Sequence, residues 1–217
     1  MSLSGIWKSS KWQIILLLVI WFVAGAFLLI YSKTVIQLYL NHFHSDFFDV
    51  FFKYWTWLGS GWIALGLIVF ILVFVDFRWG ILLTIDGVIT GIIVQGLKKI
   101  IFDDVLRPVA VLKNLHLVQG VDMHYYNSFP SGHTAIAFAL FFAIACMLKI
   151  KSAKWFFFIV ALLIGCSRIY LSQHFLPDVL VGSMIGTIIF LLTLWLFGNK
   201  WSKWDMPILV LRKRHET

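Results

Sequence analysis

The alternation of long apolar stretches with short charged segments predicts a bundle of membrane-spanning helices. Each stretch has close to the ~20 residues that an α-helix needs to cross a bilayer. The six predicted spans run over approximately residues 12–31, 55–75, 79–97, 133–148, 155–171 and 178–198. We therefore expect an all-α, polytopic membrane protein with six transmembrane helices, in which residues 1–217 form one domain.

The segment after the first predicted span has a mixed pattern. Between residues 34 and 53, large apolar side chains alternate with His42, His44, Asp46 and Asp49. This pattern is typical of an amphipathic helix that lies in the membrane interface. We interpret its histidines and aspartates as a wetted polar face and not as metal ligands.

One carboxyl group lies in the middle of a predicted span. Asp86 lies in the middle of the stretch 79–97. Because a carboxyl group at that depth is costly, it should face the interior of the bundle and have a partner there. We favour a structural hydrogen bond to a neighbouring helix, and a catalytic role remains the alternative.

The composition supports the membrane class and limits the partners. Hydrophobic residues make up 61% of the chain, charged residues 13%, and the mean hydropathy is +0.91. The net charge of +8 comes from basic residues that flank apolar segments, which argues against a nucleic acid partner and for a lipid bilayer. In the tail, Trp201, Trp204 and the cluster Arg212-Lys213-Arg214 predict contact with anionic lipid. Composition leaves the oligomeric state open.

A first chemical motif is Pro130-Ser131-Gly132-His133, directly before the apolar run 135–148. Proline and serine are common at the start of a helix, so the amides of Gly132 and His133 should point outward without helical partners. Such a helix start is suited to binding an anion, and His133 adds a group that can donate a proton near neutral pH. Taken alone, the motif also fits a helix cap followed by a surface histidine.

In a second motif, five residues separate Ser167-Arg168 from His174, and three residues separate His174 from Asp178. This spacing can let the Asp178 carboxylate reach one ring nitrogen of His174 and leave the other free as a nucleophile. Upstream, Lys99 and the pair Arg107-Pro108 add charge. Arg107 and Arg168 can bind phosphate oxygens in a bidentate way, and Lys99 can add a point charge.

Six crossings would place both termini on one side of the membrane and all three polar motifs on the other. Most of the 18 lysine and arginine residues fall in segments on the side of the termini. By the positive-inside rule, we expect the protein to lie in the inner cell membrane with both termini in the cytoplasm. The polar motifs then face the extracytoplasmic side.

Together these motifs resemble the three signatures of the type 2 phosphatidic acid phosphatase family. The tetrad ending at His133 matches the second signature, and the segment from Ser167 to Asp178 matches the third. The resemblance implies that His174 forms a phosphohistidine, that Asp178 orients it and that His133 protonates the leaving group. It also implies a phosphate-binding set that contains Lys99, Arg107, Ser131, Gly132 and Arg168.

The first signature departs from the family pattern. The family has six residues between its lysine and Arg-Pro, whereas seven separate Lys99 from Arg107 here. In a continuous helix the extra residue would rotate Lys99 by about 100° relative to the arginine. We expect a turn at Asp103-Asp104 to absorb it, since both residue types favour turns.

The expected function is metal-independent hydrolysis, without a cofactor, of a phosphate monoester or diphosphate on a membrane lipid. A two-metal site is not expected, because Asp, Glu and His do not cluster outside the motifs. Phosphatidic acid, phosphatidylglycerol phosphate, an isoprenoid diphosphate and lipid A phosphate all remain possible substrates. The alternatives are phosphate transfer to another lipid and a non-catalytic lipid-binding or transport protein.

Overall fold

The computed structural model describes residues 3–198 and the side chains of residues 5–198, and every regular element in this part is a helix or helical turn. In chain order the helices are α1 (Leu3–Ile30), α2 (Lys33–Asn41), α3 (Asp46–Trp55), α4 (Gly61–Phe70), α5 (Phe77–Gly96), α6 (Pro108–Val111), α7 (Gly132–Ala137), α8 (Ala143–Met147), α9 (Lys151–Tyr170) and α10 (Leu176–Phe197). A 3₁₀ turn, Thr56–Gly59, follows α3, and wider π turns, Ile71–Val75, Leu97–Ile101 and Phe138–Phe142, follow α4, α5 and α7.

The all-α membrane fold is confirmed, but the predicted number of six spans is not. Four helices are long and apolar enough to cross a membrane: Gly5–Ile30, Phe77–Ile101, Lys151–Tyr170 and Leu176–Phe197. A fifth span arises if the helix pair Asp46–Gly59 and Gly61–Val75 is counted as one. The predicted fourth span corresponds to a shorter apolar helix, Gly132–Met147. Helix length therefore supports four or five spans among the described residues, and six is not established.

The predicted second span is bent and not straight. Its two parts meet at an angle of 57°. The break lies at Ser60, whose hydroxyl caps α4 by accepting a hydrogen bond from the Ile63 amide at 3.3 Å. A serine N-cap stabilises a new helix start, so the chain changes direction without losing hydrogen bonds. The predicted amphipathic segment likewise forms two helices, α2 and α3.

Aromatic packing fixes the central helices against each other. Phe142, next to α8, is fully buried and contacts Phe158 of α9 and Phe190 of α10, with ring centroids 6.1 and 6.2 Å apart. Closer to the motifs, a Cβ atom on Gly182 of α10 would lie 2.6 Å from the Ser131 carbonyl oxygen. Glycine at this position lets the start of α7 lie directly on α10.

The ends of the helices divide the bundle into two faces. The Lys154 ammonium, in the first turn of α9, donates to the Ser9 carbonyl at 3.0 Å, so α9 begins beside the start of α1. Since α10 runs back antiparallel to α9, it ends on this face too, where Arg78 donates to the Gly198 carbonyl. The motifs of the sequence lie on the opposite face. The tail cluster at Arg212 lies outside the described residues.

Asp86 is buried as predicted, with 1% of its surface exposed. Neither of its carboxylate oxygens has a hydrogen-bond partner on a neighbouring helix among the described residues, and its polar neighbour is the Thr90 hydroxyl one turn later on the same helix. The predicted hydrogen bond to a neighbouring helix is therefore wrong.

Candidate active site

A cavity of about 460 Å³ opens at the face of the bundle that carries the motifs. The ends of α5 and α9, the start of α7 and the loop before α10 meet around it. Its charged and polar lining includes Lys98, Arg107, His133, Arg168, Gln173 and His174. The two motif histidines and three cationic side chains thus share one cavity.

The chain reverses at the end of α9 and so carries His174 back towards Arg168. The Arg168 carbonyl accepts hydrogen bonds from the amides of Gln173 and His174, at 3.0 and 3.1 Å. Ser172 adopts a left-handed conformation with φ of 52°, which permits this tight reversal. The turn is buried, and only 1% of His174 is exposed.

The Asp178 carboxylate lies close to the His174 ring without forming a hydrogen bond to it. The Nδ1 atom of His174 lies 3.4 Å from Asp178 Oδ2. That same oxygen accepts hydrogen bonds from the Ser128 hydroxyl at 2.5 Å and from the Phe175 amide at 2.9 Å. A carboxylate held by two other donors is a rigid reference point for the imidazole. With Nδ1 on the side of Asp178, Nε2 remains for the cavity that His174 lines.

The electrostatic surroundings keep the His174 imidazole neutral. Burial lowers the pKa of His174 well below its ordinary value, and the positive charges of Arg168, Arg107 and Lys98 act in the same direction. A neutral imidazole has a free lone pair on one ring nitrogen. His174 is therefore in the protonation state that a nucleophile requires.

Two arginines converge on Gln173. Arg107 donates through Nε to the Tyr126 carbonyl at 2.9 Å and through Nη1 to the Gln173 carbonyl and Oε1, both at 3.3 Å. Arg168 donates through Nη2 to the same Oε1 at 3.5 Å. Burial lowers the pKa of the Arg107 guanidinium, and the Asp178 carboxylate counteracts this change. Gln173 thus sets the spacing of the two guanidinium groups.

The lysine that lines the cavity is Lys98, whereas Lys99 is exposed and lies outside the lining. The predicted turn at Asp103–Asp104 is present. Immediately before it, however, a π turn over Leu97–Ile101 widens the end of the helix, with the Phe102 amide donating to the Leu97 carbonyl. Such a turn accommodates one additional residue and shifts which side chain faces inward. Lys98 then donates to the Asn127 carbonyl at 2.9 Å.

The tetrad at the start of α7 divides into capping and lining residues. Ser131 is fully buried and its hydroxyl accepts from the Thr134 amide at 3.4 Å, so this hydroxyl caps the helix and does not line the cavity. Gly132 and His133 do line it. The Ser131 amide also donates to the Asp178 carbonyl at 2.9 Å, which ties this motif to the His174–Asp178 pair.

The bent second span contributes two residues that the sequence did not indicate. Thr56 accepts a hydrogen bond of 2.6 Å from Arg168 Nη1. Gly59 lies against His133, since a Cβ atom there would come within 3.2 Å of the His133 carbonyl oxygen. Nothing in the apolar pattern of residues 55–75 marks either position. Gln173, in contrast, could have been noticed as a polar neighbour of His174.

Helix α2 holds the turn that carries His174. The buried Gln37 side chain donates to the Ile169 carbonyl at 3.0 Å and to the Ser172 hydroxyl at 3.2 Å. Asn41 donates to that hydroxyl at 3.3 Å and to the His116 carbonyl at 3.0 Å. The turn after α9 is therefore supported from outside the motif itself.

The cavity has the parts that a phosphate ester requires. Cationic side chains can neutralise the phosphate oxygens, an oriented imidazole can attack, and a second imidazole can transfer a proton. Among the described residues, His, Cys, Asp and Glu side chains form no group of three that could hold a metal ion.

Comparison with known families identifies a match over more than half of the chain. A family model described as "PAP2 superfamily" matches residues 78–202. This range contains all three motifs but not Gln37, Asn41, Thr56 or Gly59.

Two curated relatives align with parts of the chain. The bacitracin transport permease protein BcrC of Bacillus licheniformis is 31% identical over 116 residues, which cover 52% of this chain and 55% of the relative. Phosphatidylglycerophosphatase B of Bacillus subtilis (strain 168) is 39% identical over 74 residues, which cover 30% of this chain and 36% of the relative. The chain thus matches about half of the first relative and about a third of the second.

A solved structure extends the similarity to most of the fold. The crystal structure of Aquifex aeolicus LpxE superposes with a TM-score of 0.62 and 31% sequence identity. The match covers 73% of this chain and 92% of that chain.

Proposed function

Since the chain belongs to the PAP2 superfamily, we propose that it hydrolyses a phosphate monoester or diphosphate carried by a membrane lipid. The observation that carries this proposal is the cavity in which an oriented, neutral His174 is joined by His133 and three cationic side chains. The name of one relative, phosphatidylglycerophosphatase B, agrees with this class of substrate.

In the first chemical step, Nε2 of His174 attacks phosphorus in line with the lipid oxygen. A P–N bond forms while the P–O bond to the lipid breaks, and the bonding electrons pass to the leaving oxygen. The negative charge of the bound phosphate lets His133 hold a proton despite the neighbouring cations that oppose its protonation. His133 donates this proton to the leaving oxygen, so the lipid leaves as an alcohol or as a shorter phosphate. Lys98, Arg107 and Arg168 neutralise the charge on the equatorial phosphate oxygens.

In the second step, water attacks the phosphohistidine. His133, now neutral, takes a proton from this water as the new P–O bond forms and the P–N bond breaks. Inorganic phosphate leaves, and both histidines return to their starting states. Asp178 stabilises the imidazolium character of His174 throughout. We propose that cationic side chains supply the charge neutralisation and that no metal ion or cofactor is needed.

We further propose that the protein lies in the inner membrane with both termini cytoplasmic and the cavity on the extracytoplasmic face. Support comes from the basic residues at the opposite face, which include Arg78, Lys149, Lys151 and Lys154. A cysteine introduced at the exposed Lys113 should react with an impermeant thiol reagent in intact cells. Labelling that occurs only after lysis would reverse this orientation.

Two rival functions differ from hydrolysis in the product that the protein releases. A phosphotransferase would form the same phosphohistidine but pass phosphate to another lipid. A transporter or lipid-binding protein, as the name of the BcrC relative suggests for that protein, would release no phosphate. Transporter sites typically lie near the bilayer midplane on broken helices, whereas the polar lining here lies at helix ends. This position favours the hydrolase.

The proposed function is tested with purified protein and a panel of lipid phosphates. Phosphatidic acid, phosphatidylglycerol phosphate, an isoprenoid diphosphate and lipid A would each be incubated with the protein, and free phosphate measured. Labelled phosphate should remain on the protein after an alkaline quench and disappear after an acid quench, because phosphohistidine is acid-labile. His174→Ala should abolish both label and product, whereas His42→Ala, at an exposed histidine outside the cavity, should retain them. An acid-stable phosphoprotein, or turnover by His174→Ala, would refute the mechanism.

A further inference from the structure

A second cavity, of about 390 Å³, lies between the start of α1 and the start of α9. Lys151 lines it at the first residue of α9, whereas Arg168 lines the catalytic cavity near the end of the same helix. At a rise of 1.5 Å per residue, the two positions are about 25 Å apart along the helix axis. The second cavity therefore belongs to the opposite face of the bundle.

The lining of this cavity is basic. Lys149, Lys151 and Lys154 all contribute to it, and no carboxylate from residues 5–198 does. The two chain segments that build the cavity lie within residues 1–45 and 123–177, and neither range contains an aspartate or a glutamate. Three ammonium groups without a carboxylate in the same lining favour an anionic ligand.

Lys154 is the buried member of this group, with 4% of its surface exposed. Its ammonium donates to the Ser9 carbonyl and to the Ser10 hydroxyl, both at 3.0 Å. An ammonium has three N–H donors, so one remains beyond these two bonds. Both partners are neutral, and a buried cation gains most from an anion as its third partner.

An independent observation comes from Gln13, which lines the same cavity and is 4% exposed. Its side-chain amide makes no hydrogen bond to any residue that the structure describes. The amide atoms are not fully enclosed by protein, so they remain accessible from the cavity, and the two N–H donors suit an oxygen-rich ligand. The start of α9 adds to this, since Ile150 at the N-cap provides no side-chain acceptor for the first amides of the helix.

Two indoles indicate where the ligand comes from. Trp12 is 60% exposed and Trp155 lies beside it in the lining. Tryptophan is enriched at the membrane–water interface, where its ring contacts lipid and its N–H contacts water. We propose that this cavity binds the phosphate group of an anionic membrane lipid at the face opposite to catalysis, as a site separate from the substrate site.

The test is a lipid titration of the full-length, detergent-purified protein, with bound lipid counted by native mass spectrometry. The double variant Lys149→Gln/Lys151→Gln removes two exposed cations and leaves the packed Lys154 in place. Phosphatidylglycerol should bind this variant about 30-fold more weakly than the wild type, since each lysine near an anionic lipid contributes close to a factor of five. Gln13→Leu should weaken the same binding without changing the charge.

Two control variants and one competing ion are needed to interpret the titration. Lys113→Gln, an exposed lysine remote from this cavity, and Lys98→Gln, in the catalytic cavity, should both keep the phosphatidylglycerol affinity of the wild type. If millimolar inorganic phosphate displaces the lipid, the site recognises the phosphate ion itself; if it does not, the site recognises the lipid headgroup. Equal affinity of the double variant and the wild type, or equal binding of phosphatidylcholine, would overturn the proposal.

Discussion

Replacing Thr56 by valine tests whether the bent second span helps to bind phosphate. The Thr56 hydroxyl accepts a hydrogen bond of 2.6 Å from Arg168, whose other side-chain bond is a long one of 3.5 Å to Gln173. The Arg168 Nε atom is buried and has no hydrogen-bond partner within the described part of the chain. Valine keeps the shape of threonine but cannot accept a hydrogen bond, so it leaves the guanidinium poorly held. A hydrogen bond to a charged group contributes about 1.5–3 kcal/mol, which corresponds to about 10- to 150-fold.

We therefore expect Thr56→Val to lower kcat/KM for a lipid phosphate by about 10- to 150-fold. Competitive inhibition by inorganic phosphate should weaken as well, because it reports the anion site without the chemistry. Thr56→Ser is the matched control, since it retains the hydroxyl and should recover most of the activity. Thermal unfolding of each variant separates this effect from a loss of folded protein. If valine left both kcat/KM and phosphate inhibition within twofold of the wild type, Thr56 would not position Arg168.

Three further predictions concern the cavity. Lys98→Met should weaken inhibition by inorganic phosphate at least tenfold, whereas Lys99→Met should leave it unchanged. The opposite result would show that Lys99, as the sequence suggested, binds the phosphate. His133→Ala should slow release of a lipid alcohol by about 10² to 10⁴-fold but recover with an aryl phosphate, whereas His174→Ala should stay inactive with both; equal recovery would contradict their separate roles. Because burial and nearby cations lower the His174 pKa from 6.5, the neutral imidazole persists at lower pH, so the acidic limb of kcat/KM for an aryl phosphate should lie below pH 6.5. An acidic limb at or above that pH would argue against a buried neutral nucleophile.

The sequence predicted the parts of the site that depend on the spacing of residues close together in the chain. His174 and Asp178 are four residues apart at the start of a helix, so local geometry brings their side chains together. Gly132 and His133 follow a capping serine, and the cap itself is visible in the sequence. Long apolar runs likewise predicted the membrane helices, because span length depends on composition alone.

Other parts depend on irregular backbone or on contacts between distant segments. The choice of Lys98 over Lys99 follows from a π turn, which has no strong signature in residue types. The contact of Thr56 with Arg168 joins residues 112 positions apart, and a single sequence contains no information on such a pair. Ser131 illustrates a third case, in which the motif lies at the cavity but its serine hydroxyl caps a helix. The bend at Ser60 was missed because an apolar run gives no sign of a change in direction.

The hydrogen bonds from α2 to the turn after α9 bear on how this protein can be divided or recombined. Gln37 and Asn41 lie well before residue 78, where the match to the family begins, yet they hold the Ser172 hydroxyl two residues from His174. A chimera that received residues 78–202 alone would acquire every signature residue without the groups that shape their loop. The segment that must be transferred to keep this loop in place is therefore longer than the segment that matches the family, and it begins before α2.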